Sequence, residues 1–152
     1  MTSPRDQGFS LVVRTTARYV VRVMIIFGLY IILHGQITHG DGFAGGVILA
    51  LAFIMQMLVF GPEVALRVFT KPIAPRLASV GALFLLSIAF LGYSGGSFFF
   101  NFLGRGQAFQ FWSAGIIPVC NIAIGLVVMA SLIGIYATLT LYKPGAPERK
   151  KD

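Results

Sequence analysis

The chain has 152 residues, 57% hydrophobic and 11% charged, with a formal net charge of +7 and a mean hydropathy of +0.84. Soluble domains carry about a quarter charged residues, so this composition excludes a water-exposed globular fold, and four spans of about 20 residues leave no chain for a second domain. The single Cys120 excludes a disulfide framework and a paired-cysteine metal set, while the basic residues flank apolar runs without interleaved aromatics, which argues against nucleic acid as a partner.

The N-terminal segment to about Ala17 is polar and basic, and the first expected span runs from about Arg18 to Gln36 with Tyr19 at its edge. Its end, Leu33-His34-Gly35-Gln36, lacks the small-residue site of a cleaved leader, so it reads as a retained span. Arg14, Arg18 and Arg22 recur every four residues and share one helix face. Their long stems either snorkel to the headgroups or meet an acidic neighbour. A glycine-rich outer turn, residues 34–46, leads into the second span, about Phe43 to Phe60, which holds Gln56 near its end and stops at Gly61-Pro62-Glu63. The stretch to Arg76, with Arg67, Lys71, Pro72 and Pro75, is a short connection. The third span covers about 77–94, and Gly95-Gly96 with Phe98-Phe99-Phe100 marks the far interface. The fourth covers about 113–142, long enough to tilt, with Pro118 near its start where a missing N–H costs least. Residues 143–152 form a tail.

Lys and Arg accumulate on the cytoplasmic side of short loops. Eleven of the twelve basic residues fall on one side of this layout and only Arg105 on the other. The expectation is an all-α, multi-pass integral membrane protein of the cell membrane, a single membrane domain over 1–152 with four transmembrane helices and both the N- and C-termini cytoplasmic. Trp112, Tyr93, Tyr19 and Tyr142 fall near its interfaces, as an aromatic belt requires.

The turn from His34 to Gly46 holds five glycines in thirteen residues. It includes a literal GxGxxG from Gly40 to Gly45, which has no meaning as a nucleotide site outside a strand-to-helix junction. Gly42 and Gly46, four apart, instead allow another backbone to approach the second span. His34, His39 and Asp41 would suit a divalent metal, proton or sodium handling, or a structural cap in which Asp41 starts the second helix; two histidines and one carboxylate are few ligands for a metal, and no metal is expected. Asn121, one turn after Pro118, either bonds a backbone group or lies on an ion path. No span has an Asp, Glu, Lys or His near its middle, so a proton relay within this chain is missing and no catalytic residue or cofactor is expected. Such a chain reads as a subunit.

The turn and the fourth span resemble the B subunit of Mrp-type multisubunit sodium/proton antiporters, whose turn is roughly Gly-His-x-x-Pro-Gly-Gly-Gly-Phe-x-Gly-Gly. Here it corresponds to Gly35-Gln36-Ile37-Thr38-His39-Gly40-Asp41-Gly42-Phe43-Ala44-Gly45-Gly46, and Asn121-Ile122-Ala123-Ile124-Gly125-Leu126 is similar to the fourth-span pattern. The likeness covers about Val20 to Tyr142. The family's histidine is Gln36 here, its proline is His39 and a middle glycine is Asp41, so roles built on those residues do not transfer. The resemblance implies a non-catalytic subunit, needed for assembly and expected to line part of the ion path, in a complex whose larger subunits exchange sodium ions for protons. A homologous subunit of a membrane-bound hydrogenase-type, redox-driven ion pump is the alternative. The expected partners are the other subunits and the lipid bilayer, with Na+ and H+ transported by the whole complex.

Overall fold

The computed structural model describes residues 10–35, 42–61, 73–101 and 115–141, which fold as α1 (Leu11–His34), α2 (Gly42–Phe60), α3 (Ile73–Gly92), a 3-10 turn (Tyr93–Gly95) and α4 (Ile117–Leu141). All four α-helices are long and apolar enough to cross a membrane. The 19 residues of α2 extend about 28 Å, close to the roughly 30 Å hydrocarbon core of a bilayer. The 24 residues of α1 extend about 36 Å, so the helix carries the polar turns around Arg14 beyond the apolar stretch. Helical hydrogen bonding continues there because no proline or glycine interrupts Leu11 to Arg18, and α1 therefore starts about two turns ahead of the expected span. Pro118 is the second residue of α4, where a missing N–H leaves no ladder bond unmade.

Several hydroxyls within the spans are satisfied by their own helix. Ser79 donates to the Pro75 carbonyl at 2.9 Å, Ser87 to Leu83 at 2.8 Å and Thr138 to Gly134 at 2.8 Å. Such back-bonding lets Ser and Thr sit in an apolar helix without a water partner.

The helices alternate in direction. Helix α4 is central: it packs extensively on α2 and α3 and more lightly on α1, while α1 packs extensively on α2. Helices α2 and α4 run parallel, since Gly46 lies against Gly125 near their starts and Ala50 and Met57 cluster with Ile133 farther along. One end of the bundle therefore carries Arg14, Arg18, Arg22 and Arg76 with the ends of α2 and α4, and the opposite end carries His34, Gly35 and Gly42. The outward faces are apolar: Val23, Ile26 and Phe27 of α1 and Leu83, Phe84 and Phe90 of α3 are exposed. This is how a helix that meets lipid differs from an amphipathic surface helix. Tyr19, about two turns into α1, and Tyr93, just after α3, are exposed, whereas Trp112 and Tyr142 lie outside the described residues.

After α3 the chain folds back on itself. Gly96 is left-handed at φ 91° and donates its N–H to the Tyr93 carbonyl at 3.0 Å. The Phe100 ring then lies against Gly95, and the Phe98 ring meets Phe90 and Tyr93 edge-on at 6.4 and 6.3 Å. Asn101 reaches Gly115, whose φ of 66° and absent side chain admit it, so the two ends of the connection to α4 meet.

Candidate functional site

The helices approach closely at the first turns of α2, where three glycines present two faces. Toward α1, a Cβ on Gly45 would stand 2.8 Å from the Gly28 carbonyl oxygen, and one on Gly28 would stand 2.9 Å from the Leu49 side chain and 3.2 Å from the Gly45 oxygen. Toward α4, a Cβ on Gly46 would stand 2.7 Å from the Gly125 oxygen and 3.1 Å from its Cα, and one on Gly42 would fall on the Asn121 backbone. The Ile32 side chain of α1 meets both Gly45 and Gly125, so it fills the point where three helices converge. Lipid tails are as apolar as leucine, so helices associate in a bilayer through close van der Waals contact, which small residues permit.

Asn121 is the one buried polar side chain among the described residues, 6% exposed. It lies beside Gly42, and its Nδ2 has no hydrogen-bond partner. An unpaired buried donor costs about 1–3 kcal/mol. Proline 118 does not relieve it, because that ring sits where no interior carbonyl is released; the Cys120 N–H bonds the Ile116 carbonyl at 3.0 Å as the helix begins.

The remaining candidates divide clearly. His34 is half-buried and stacks on Tyr30, one turn earlier, at 4.5 Å and 22° between ring planes. Gly35 follows α1 in right-handed geometry at φ −59°, and Phe43 is exposed on the outside of α2. Gln36, Thr38, His39, Gly40 and Asp41 lie outside the described residues, as do all five acidic residues of the chain. Among the described residues no cluster of His, Cys, Asp or Glu could hold a metal. At the other end Arg14, Arg18 and Arg22 are exposed; the Arg18 guanidinium lies 5.8 Å from the centre of the Phe60 ring and that of Arg22 5.9 Å from that of Tyr19.

The structure thus brings Gly42, Gly45, Gly46 and Asn121 together and adds Gly28, Ile32 and Gly125. Gly28 carries only a weak sequence signal, a lone glycine between Phe27 and Leu29 in an apolar helix. Its pairing with Gly45 becomes visible only when α1 and α2 are antiparallel and the turn length is known.

Comparison with known proteins fits this arrangement. A family model described as a domain related to the MnhB subunit of Na+/H+ antiporter matches residues 12–134, a range that includes every residue of the glycine crossing. An uncharacterized protein of Methanocaldococcus jannaschii, MJ1307, is 38% identical over 72% of this chain; the chain spans 44% of that relative's length. A Staphylococcus aureus (strain Newman) protein named as a candidate antiporter subunit, mnhB2, is 29% identical over 89% of this chain and 94% of its own length. With the model spanning most of four helices and the glycine crossing, the chain belongs to the family of domains related to the MnhB subunit of Na+/H+ antiporter.

Proposed function

We propose that this chain is a non-catalytic membrane subunit of a multisubunit Na+/H+ antiporter in the plasma membrane, needed for assembly of the complex, with both termini cytoplasmic. The observation that carries the reading is the contrast within the bundle. Four spans without an acidic residue among the described positions are joined by a crossing in which glycine backbones touch. Ion-coupled transport depends on ionisable groups inside the membrane, and the described spans hold no Asp, Glu or Lys, with His34 and Arg76 toward helix ends and Arg14, Arg18 and Arg22 in the first half of α1. What it offers, among the described residues, is an apolar surface and one buried amide, Asn121, whose Nδ2 has no acceptor.

The cytoplasmic assignment of the termini is supported by the charge bias: Arg14, Arg18, Arg22 and Arg76 share one end of the bundle. The relatives named for an antiporter subunit favour this reading over a hydrogenase-type pump. In this reading His34, His39, Asp41 and Asn121 are the polar residues available to line part of the ion path. Deleting this chain from the complex abolishes sodium/proton exchange in everted vesicles, measured by a fluorescent pH probe on adding sodium. Exchange that persists at the parental rate without the chain refutes the proposal.

A further inference from the structure

Beyond the role in assembly, we propose that a groove between α1 and the end of α2 binds the phosphate headgroup of an anionic lipid. The groove encloses about 390 Å³ and is lined by Arg18, Val21, Arg22, Ile25, Gln56 and Phe60. That volume is of the size of small-molecule sites, about 300–1,000 Å³. Its lining is amphiphilic in a useful order: two guanidiniums and an amide supply hydrogen-bond donors, and Val21, Ile25 and Phe60 supply apolar wall beside them.

Three observations choose the ligand chemistry. Each guanidinium carbon lies near an aromatic ring centre, Arg18 at 5.8 Å from Phe60 and Arg22 at 5.9 Å from Tyr19, and a guanidinium offers a planar fork of N–H donors suited to a bidentate oxyanion. Among the described residues no carboxylate stands beside them; Asp6, Asp41, Glu63, Glu148 and Asp152 lie outside the described residues. The depth is also right. Arg18 stands about 24 Å along α1 from His34, near the thickness of the hydrocarbon core, so its guanidinium reaches headgroup level when His34 is at the other interface. A free phosphate ion would gain nothing from the valine, isoleucine and phenylalanine wall, whereas a lipid phosphate places its acyl chain along it.

The test uses the full chain in its complex, purified through a tag and titrated in detergent with phosphatidylglycerol or phosphatidylcholine while native mass spectrometry counts bound lipids. Basic residues at an anionic headgroup are worth about 5-fold each, which exposure of both side chains reduces to about 10-fold for the pair. The wild-type complex is expected to hold one more phosphatidylglycerol than the Arg18→Gln/Arg22→Gln complex and to prefer it about 10-fold over phosphatidylcholine. Arg14→Gln, one turn outside the groove, leaves the count unchanged, and Arg18→Lys/Arg22→Lys retains only part of the preference, because an ammonium keeps the charge but lacks the guanidinium's planar fork. A phosphatidylglycerol with a photoreactive headgroup provides a readout that needs no variant: labelling of the wild-type chain within 18–25 and 56–60 supports the site, and labelling elsewhere overturns it. Equal retention of the two lipids would mean ordinary lipid contact, and displacement by millimolar inorganic phosphate would mean a free-anion site. A lipid count unchanged by the double Gln substitution, with poorer recovery of the complex, would mean that the arginines meet another subunit's carboxylates. Each of these three results overturns the proposal.

Discussion

Replacing Gly46 by alanine isolates the glycine crossing with a single methyl group. The new carbon would stand 2.7 Å from the Gly125 oxygen, 3.0 Å from the Val128 Cβ and 3.1 Å from the Gly125 Cα. Comfortable carbon contacts lie near 3.5–4.0 Å, so the overlap falls mainly on backbone that no rotamer change can move. Helices α2 and α4 must separate by roughly 0.5–1 Å, which forfeits a quarter to a half of the dispersion energy of the contacts they share there. Overpacking of this kind costs about 1–3 kcal/mol, while alanine's better helix propensity returns about 0.8–1 kcal/mol. Gly134→Ala separates the two effects, because a Cβ there meets only the Ala74 Cβ, at an ordinary 3.6 Å. It receives the same propensity gain without the overlap. The two variants should therefore differ by about 1–3 kcal/mol, or roughly 5- to 150-fold in the folded-to-unfolded ratio, with Gly46→Ala the weaker. Titrating each purified chain in bicelles with dodecyl sulfate, followed by circular dichroism, measures the difference. A Gly46→Ala chain as resistant as Gly134→Ala would refute the close backbone approach.

Asn121→Leu removes an unpaired buried donor and keeps similar volume, so the isolated chain should be as stable as the wild type or up to about 2 kcal/mol more stable in the same titration. The complex should nevertheless lose antiport if the amide serves another subunit; a clear loss of stability in the isolated chain would show that Nδ2 already has its acceptor. Gly42→Val places a branched side chain on the Asn121 backbone and should sharply reduce intact complex on a native gel, with normal recovery counting against the crossing as an assembly element. Asp41→Asn should shift the apparent sodium or pH dependence of exchange if Asp41 faces the ion path, and an unaltered profile removes it from consideration.

Much of the fold is written in the sequence because a bilayer imposes simple rules: apolar runs of about 20 residues, basic residues at their ends, and breakers such as Gly61-Pro62 between them. The Gly42 and Gly46 spacing likewise announces a face of close approach. What spacing could not supply is the partner of that face. Gly42 and Gly46 meet α4 while Gly45 meets α1, a division that depends on which helices are neighbours, and neighbour relations depend on packing among four nearly uniform apolar surfaces. The extra turns of α1 were also illegible in hydropathy, since a helix needs backbone hydrogen bonds and not apolar residues to continue. The amide of Asn121 shows a different limit: its burial follows from its place in an apolar run, but whether a donor is satisfied is a matter of orientation within one turn.

The two ends of the bundle differ because side-chain size changes along the same pair of interfaces. Between α2 and α4, Gly42, Gly46 and Gly125 give way to Ala50, then to Phe53, Met57, Met129, Ile133 and Tyr136. Between α1 and α2, Gly28 and Gly45 give way to Val21, Gln56 and Phe60. Helix separation follows the residues at the contact, so backbones that touch at the glycine end are held apart at the arginine end. The groove between α1 and α2 lies toward that end, beside the guanidiniums. A wedge closed by glycine at one end and left open beside two cations at the other suits a subunit that seals against its neighbours and takes a lipid phosphate into the gap.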